Sequence, residues 1–267
     1  MDSQKNMPAE TVLDVSELSI AFGGLKAVDN LTFDIRENEV FGLIGPNGAG
    51  KTTVFNCITQ FYKPSHGTIR LRGADGTVHN LLEKPVHEII RLGLVRTFQN
   101  VELIRELSLI DNVLVGAHID FRSTILEQAL QLPRARREER ALRAEAERIL
   151  TVLGIADRKD MPAGGQPYGI LKKVELARTL MAKPRLIILD EPAAGLNDVE
   201  TVQLTQLIRK IGDEFKCSIL LVEHDMRLVM DVCNRICAIN FGKLLTIGTP
   251  QEIQANPAVQ AAYLGVD

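Results

Sequence analysis

The chain has 267 residues, a formal net charge of -3 and a hydrophobic fraction of 45%, which suits a single α/β domain carrying a helical insertion better than two domains. That charge gives no electrostatic pull toward nucleic acid or an anionic membrane surface, so nucleic acid is not an expected partner and any membrane attachment must run through a protein. No apolar run approaches the ~18 residues of a membrane helix, and the opening MDSQKNMPAE lacks the layout of a signal peptide, so the expected location is cytoplasmic.

In chain order, apolar and polar residues partly alternate over residues 12–20 and again over 31–35, the pattern of strands. Val40, Phe41, Gly42, Leu43 and Ile44 form a short run with no polar face, as a strand buried on both sides of a parallel sheet requires. A glycine-rich turn follows, then a helical stretch with Val54, Phe55, Ile58 and Phe61 on its apolar face, and residues 67–73 read as another strand. From residue 85 to 183 the pattern is mainly helical. Its centre, residues 132–140, is densely charged, and Leu142, Ala146, Ile149, Leu150 and Leu153 continue it as one apolar stripe. The charged stretch reads as a solvated helix face laced with ion pairs, with a specific contact surface as the alternative.

Residues 186–189 and 219–222 are again short apolar strands, and 236–239 and 244–247, separated by Asn240, Phe241, Gly242 and Lys243, resemble a terminal hairpin. Of the four cysteines, Cys57, Cys217, Cys233 and Cys237, none shows paired CxxC spacing. Cys233 and Cys237 have the spacing to share a helix face, yet two small buried residues are expected there rather than a metal site or a disulfide.

Gly45, Pro46, Asn47, Gly48, Ala49, Gly50, Lys51, Thr52 and Thr53 match GxxxxGK[ST] between a buried strand and a helix start. The glycines let the backbone curl so that its N–H groups point at phosphate oxygens, helped by the positive end of the helix dipole. Lys51 supplies a point charge for the β and γ phosphates of ATP, and the Thr52 hydroxyl is placed to ligate Mg2+. No second copy of this turn exists, so one nucleotide site is present.

Residues 186–191 form a buried strand ending in Asp190 and Glu191, at the end where a parallel sheet opens its ligand crevice. With a phosphate loop upstream, Asp190 becomes the residue that holds Mg2+ through water and Glu191 the candidate general base. The bland alternative is two solvated carboxylates opening a turn before Pro192. Residues 219–225 repeat the design with His224 just beyond the strand end. An isolated histidine there is ordinarily a turn or capping residue; its place after the carboxylate strand favours the site.

Along nearly its whole length the chain resembles the nucleotide-binding subunits of ABC transporters. The resemblance makes Gly45 to Thr53 the Walker A motif, Asp190 and Glu191 the Walker B and catalytic-base residues, and His224 the switch histidine near the γ-phosphate. It also makes Gln99, in Arg96-Thr97-Phe98-Gln99-Asn100, the Q-loop glutamine that touches Mg2+ and water and senses the membrane subunit. Ala194-Gly195-Leu196-Asn197 takes the place of the D-loop. Phe22 is similar to the aromatic that stacks on adenine, with a plain core phenylalanine as the alternative.

A closer likeness is to the larger ATPase subunit of branched-chain amino-acid importers. It rests on the Arg96 to Val101 stretch, the basic insertion near Arg134 to Arg148, Asp190 to Asn197 and the closing stretch from Gly248 to Gly265. Urea and short-chain amide importers use nearly the same subunit. One place departs from the family: where its signature reads LSGGQ or LSYGQ, this chain has Gln166-Pro167-Tyr168-Gly169-Ile170. Proline replaces the serine that reaches the γ-phosphate on the opposite subunit, and isoleucine replaces the glutamine. Proline is acceptable in a helix's first turn, so a helix from Leu171 through Ala182 is expected to survive.

The resemblance implies a P-loop NTPase core of the ABC ATPase type with an N-terminal antiparallel β subdomain and an inserted helical subdomain. The expected boundaries are 1–90 and 181–267 for the core with its β subdomain, and 91–180 for the helical signature subdomain with the basic insertion. It further implies a second ABC ATPase subunit, in a heterodimer or a homodimer, and transmembrane permease subunits at the inner membrane's cytoplasmic face. A solute-binding protein would be an indirect partner. A regulatory ABC ATPase with a degenerate signature is the competing reading, suggested by Pro167 and Ile170.

Overall fold

The structure, a computed structural model, describes residues 7–97, 102–119, 127 and 132–264. In chain order the elements are β1 (Thr11–Phe22), β2 (Leu25–Arg36), β3 (Val40–Ile44), α1 (Lys51–Ile58), β4 (His66–Arg72), β5 (Val78–Asn80), α2 (Val86–Ile89), β6 (Leu94–Arg96) and α3 (Leu109–Leu114). They continue with α4 (Pro133–Val152), α5 (Tyr168–Met181), β7 (Leu186–Asp190), α6 (Asp198–Phe215), β8 (Ser218–Val222), α7 (Met226–Val232), β9 (Arg235–Asn240), β10 (Lys243–Gly248), α8 (Pro250–Ala255) and α9 (Pro257–Leu264). Two compact units result, Met1–Arg96 with Arg185–Asp267 and Thr97–Pro184, each over its described residues.

The first unit holds two sheets. One is antiparallel, in the order β2-β1-β4-β5; the other runs β10-β9-β3-β8-β7-β6. In the second sheet β9, β3, β8, β7 and β6 are mutually parallel and only β10 is antiparallel, at the edge. Every residue of β3, β7 and β8 is buried, which is why these strands carry unbroken apolar runs rather than alternation. One core joins the sheets through α1: Val15, Leu31, Phe33 and Leu71 pack in the same cluster as Phe41, Val54, Phe55, Ile188 and Leu220. The rings of Phe33 and Phe41 stack with centroids 5.5 Å apart, and each such buried side chain contributes about 1.5–3 kcal/mol.

Three local expectations are corrected. The helical reading of residues 85–183 misses β6, which pairs in parallel with β7 from Leu94 opposite Leu186; three residues are too few to show a period. Phe61 lies beyond the end of α1 and is 58% exposed, because the helix stops at Ile58. Cys237 lies in β9 and Cys233 caps the end of α7, so they share no helix. All four cysteines are free and buried, and burial pushes the Cys233 and Cys237 thiols up to about 12.

In the second unit the stripe Leu142, Ala146, Ile149 and Leu150 is the buried face of α4, with Leu153 buried just past its end. The polar face carries ion pairs, Arg148 to Glu145 at 2.8 Å and Arg143 to Asp111 on α3 at 3.2 Å. Helix α5 begins at Tyr168, three residues before the expected start, with Pro167 as its N-cap. Extended backbone at Pro167, φ -56 and ψ 147, suits a residue just outside the helix and needs no N–H there.

The β9–β10 turn joins Asn240 to Lys243 through Phe241 and Gly242, both with positive φ, 44 and 75. Such two-residue turns favour Asn-Gly, and an L-residue with a side chain pays about 1 kcal/mol for the conformation. The Phe241 ring recovers little by burial, being 81% exposed. Phe241→Asn is therefore expected to stabilise the chain by about 0.5–1 kcal/mol in a urea titration; an unchanged or lower midpoint would show that the ring packs on something.

Candidate nucleotide site

Strand β3 ends at Ile44, the chain loops through residues 45–50, and α1 starts at Lys51 with Gly50 as N-cap. Gly50 has φ 104, and a Cβ there would stand 2.5 Å from the Ala27 carbonyl oxygen. At Gly45 a Cβ would meet the Ile239 carbonyl oxygen at 2.4 Å. Glycine is thus required at both ends of the loop by close approach of neighbouring strands. Asn47 and Gly48 at the tip are exposed, Pro46 is half-buried and Ala49 is buried. The tip is held from behind, since the Gly242 N–H donates to the Ala49 carbonyl at 2.9 Å.

Lys51 folds back over this loop, its ammonium donating to the carbonyls of Gly45 at 2.6 Å and Pro46 at 3.1 Å. Burial lowers the pKa of Lys51, opposed by the negative charges of Glu191, Asp190 and Glu223. Thr52 is exposed and Thr53 half-buried in the first turn of α1.

Asp190 closes β7 opposite Val222 of β8 and is 9% exposed. Its Oδ2 accepts from Arg96 Nη2 at 3.0 Å, while Arg96 Nη1 donates to Asn56 Oδ1 at 3.1 Å. The Arg96 guanidinium also lies 4.2 Å from the centre of the Phe55 ring. Burial raises the Asp190 pKa, and the Arg96 charge beside it works in the opposite direction. Glu191 takes a positive φ of 46, unusual for a residue with a side chain and typical of functional turns. Its N–H donates to the Val222 carbonyl at 2.8 Å, which holds the start of the turn against β8. His224, at the end of the neighbouring strand, brings Nδ1 to 4.0 Å from Glu191 Oε1, with its imidazole 60% exposed.

The carboxyl ends of adjacent strands β3, β8 and β7 therefore present Lys51, His224, Asp190 and Glu191 together. The donors at hand for a cation, the Thr52 hydroxyl and the Asp190 and Glu191 carboxylates, are hard oxygens, the set that Mg2+ prefers.

The other expected positions fall as follows. Phe22 ends β1, is 45% exposed and meets Tyr62 edge-on at 5.2 Å, so it is not a core phenylalanine. Gln99 lies outside the described residues. Asn197 caps α6 in a reciprocal capping box with Glu200. Pro167, Tyr168, Gly169 and Ile170 form the N-cap and first turn of α5 in the other unit, with Tyr168 45% exposed. Sequence reasoning missed two participants, Arg96 and the fully buried Glu223; the second carries a visible signal, a carboxylate directly after an unbroken apolar strand.

A glycine loop between a buried strand and a helix, facing two carboxylates at a nearby strand end, defines a P-loop nucleotide-binding protein. Residues 28–194 match the family model described as ABC transporter, and residues 243–267 match that of the branched-chain amino acid ATP-binding cassette transporter. The chain is 44% identical to the high-affinity branched-chain amino acid transport ATP-binding protein LivG of Salmonella typhimurium, over 96% of this chain and 99% of that protein. It is also 44% identical to the corresponding BraF of Pseudomonas aeruginosa, over 95% of this chain and 98% of that protein. Among solved structures, the ADP conformation of an ATP-binding cassette of an ABC transporter superposes with a TM-score of 0.81 at 26% identity, covering 96% of this chain and 99% of that one.

The chain belongs to the ABC transporter family, as its nucleotide-binding ATPase component. Among the described residues no helix is long and apolar enough to cross a membrane.

Proposed function

We propose that this ATPase powers uptake of branched-chain or similar neutral amino acids through separate membrane permease subunits. The observation that carries the reading is the 44% identity to LivG, which extends over 96% of the chain. The protein would act as a peripheral subunit on the cytoplasmic face of the inner membrane, paired with a second ABC ATPase and served indirectly by a solute-binding protein. Each chain would offer its P-loop and strand-end carboxylates to one ATP and its signature helix to the partner's ATP.

Within one site, Phe22 stacks on adenine, the loop from Gly45 to Thr53 cradles the phosphates and Lys51 leaves its carbonyl partners for the β and γ phosphates. Thr52, Asp190 and Gln99 would hold Mg2+, which when bound neutralises charge on the phosphates. Glu191 accepts a proton from the attacking water as general base, and His224 steadies the γ-phosphate. Asn197 carries the D-loop role beside that site. The helical signature subdomain expected over residues 91–180 would correspond to the compact unit Thr97–Pro184, and the nucleotide-binding core expected over 1–90 and 181–267 to Met1–Arg96 with Arg185–Asp267.

Deleting the protein in cells without redundant carriers is expected to abolish most uptake of labelled leucine, isoleucine and valine. Unchanged uptake of all three together with loss of urea or amide uptake would move the substrate to the neighbouring subgroup.

A further inference from the structure

Glu223 is charged by composition, 0% exposed and placed between two turns that carry site residues, yet it faces no phosphate-loop atom among its hydrogen-bond partners. Its Oε1 accepts the Ala193 N–H at 2.8 Å, two residues past Glu191. Its Oε2 accepts the N–H of His224 at 2.9 Å and of Asp225 at 3.2 Å, with the His224 ring nitrogen Nδ1 3.6 Å away. Helix capping does not account for this arrangement. Asp225 already caps α7, its Oδ1 accepting from Arg227 at 2.9 Å and Leu228 at 3.3 Å. An apolar residue would fill the same space at no charge-burial cost, but it would leave three N–H groups in two separate turns without this acceptor.

We propose that Glu223 is a positioning residue that clamps the turn after β7 to the turn after β8, so that Glu191 and His224 are presented to the nucleotide as one unit. The inference rests on the ATPase reading of this site. A carboxylate is suited to the task because its two oxygens accept several charge-assisted bonds at once. Glutamine has the same shape but only one acceptor oxygen, and its amide N–H groups point donors at donors. None of these hydrogen bonds reaches the loop around Lys51, and the Glu223 charge is the weakest of the three carboxylates that act on Lys51, so losing the clamp should disturb turnover far more than nucleotide binding.

The test uses Glu223→Gln in the chain assembled with its membrane subunits. ATP turnover is expected to fall about tenfold, with the Kd of a fluorescent ATP analogue changing less than about threefold. In a His224→Ala background, which keeps the backbone N–H that Glu223 accepts but removes the imidazole it positions, the same substitution should cost at least threefold less than in the wild type. A fall in turnover under threefold overturns the proposal, as does a loss of binding in proportion to turnover or an undiminished effect in the His224→Ala background. Hydrogen exchange on the unmodified chain tests the clamp without any variant. The amides of Ala193, His224 and Asp225 should be protected together, and free exchange at any one of them overturns it. An unmodified assembly with no ATPase activity would instead sink the broader reading, leaving the clamp to be judged by exchange alone.

Discussion

Replacing Glu191 with glutamine lowers ATP turnover of the assembled transporter by about 10²-fold or more while nucleotide binding stays nearly intact, the scale expected when a general base is removed. Geometry makes the substitution a clean one. The positive φ of 46 at Glu191 and the bond from its N–H to Val222 belong to the backbone, so glutamine inherits the same turn. What it lacks is a basic oxygen, on a side chain 32% exposed and thus open to water. Lys51→Ala is expected to fail differently. Its ammonium is held over the loop by the carbonyls of Gly45 and Pro46, and its removal takes away the charge that meets the phosphates, so binding itself weakens. Binding measured with a fluorescent nucleotide separates the two variants, and wild-type turnover in Glu191→Gln would show that the base lies elsewhere.

The distribution of such residues between legible and hidden follows from what local pattern can encode. Strand β3 is readable to its boundaries because burial on both faces leaves Val40–Ile44 without a polar residue, and a parallel sheet puts ligand residues at that strand's end. The same reasoning locates Asp190 and Glu191. Arg96 is another matter: its partner Asp190 is 94 positions away, and nothing in three residues of β6 marks a strand at all. Glu223 sits in plain view after Val222, but its acceptors' partners, Ala193 and His224, come together only because β7 and β8 are neighbours. Phe22 shows the reverse limit. Alternation stops at residue 20, whereas β1 runs on to Phe22, and its half-exposed ring depends on where that strand ends relative to Tyr62. Local periodicity reveals which residues are buried, and sheet order decides which of them meet.

The expected consequence of Pro167 and Ile170 is an unequal pair of ATP sites, and it follows from where these residues stand at the start of α5. Pro167 is the N-cap of α5, and Tyr168, Gly169 and Ile170 follow as its first three residues. In the family pattern LSGGQ the serine and glutamine stand at these same N-cap and third positions, where Ser-x-x-Gln is itself a capping box. This chain has no side-chain cap there, so it lacks the reciprocal bond that would fix the helix start and, under the proposed head-to-tail pairing, the hydroxyl that would reach the opposite ATP. The first N–H groups of a helix have no partner within it, so the backbone at Tyr168 and Gly169 would be the remaining donors to a phosphate there. Loss of one hydroxyl donor to a transferring phosphoryl group costs about 3 kcal/mol, or roughly 10²-fold in rate. In the proposed pairing the defect would fall on the partner's nucleotide, and the P-loop, Asp190, Glu191 and His224 of this chain are expected to remain competent when the partner brings an intact signature. A heteromer would then hold one efficient site and a homodimer none. Pro167→Ser with Ile170→Gln should therefore raise ATPase activity of the purified chain alone by about 10²-fold, add about 1 kcal/mol of stability through the cap, and change the heteromer by no more than about twofold. Vigorous hydrolysis by the unmodified chain alone, with no gain in the double variant, would show that the backbone donors suffice and that the two sites are equal.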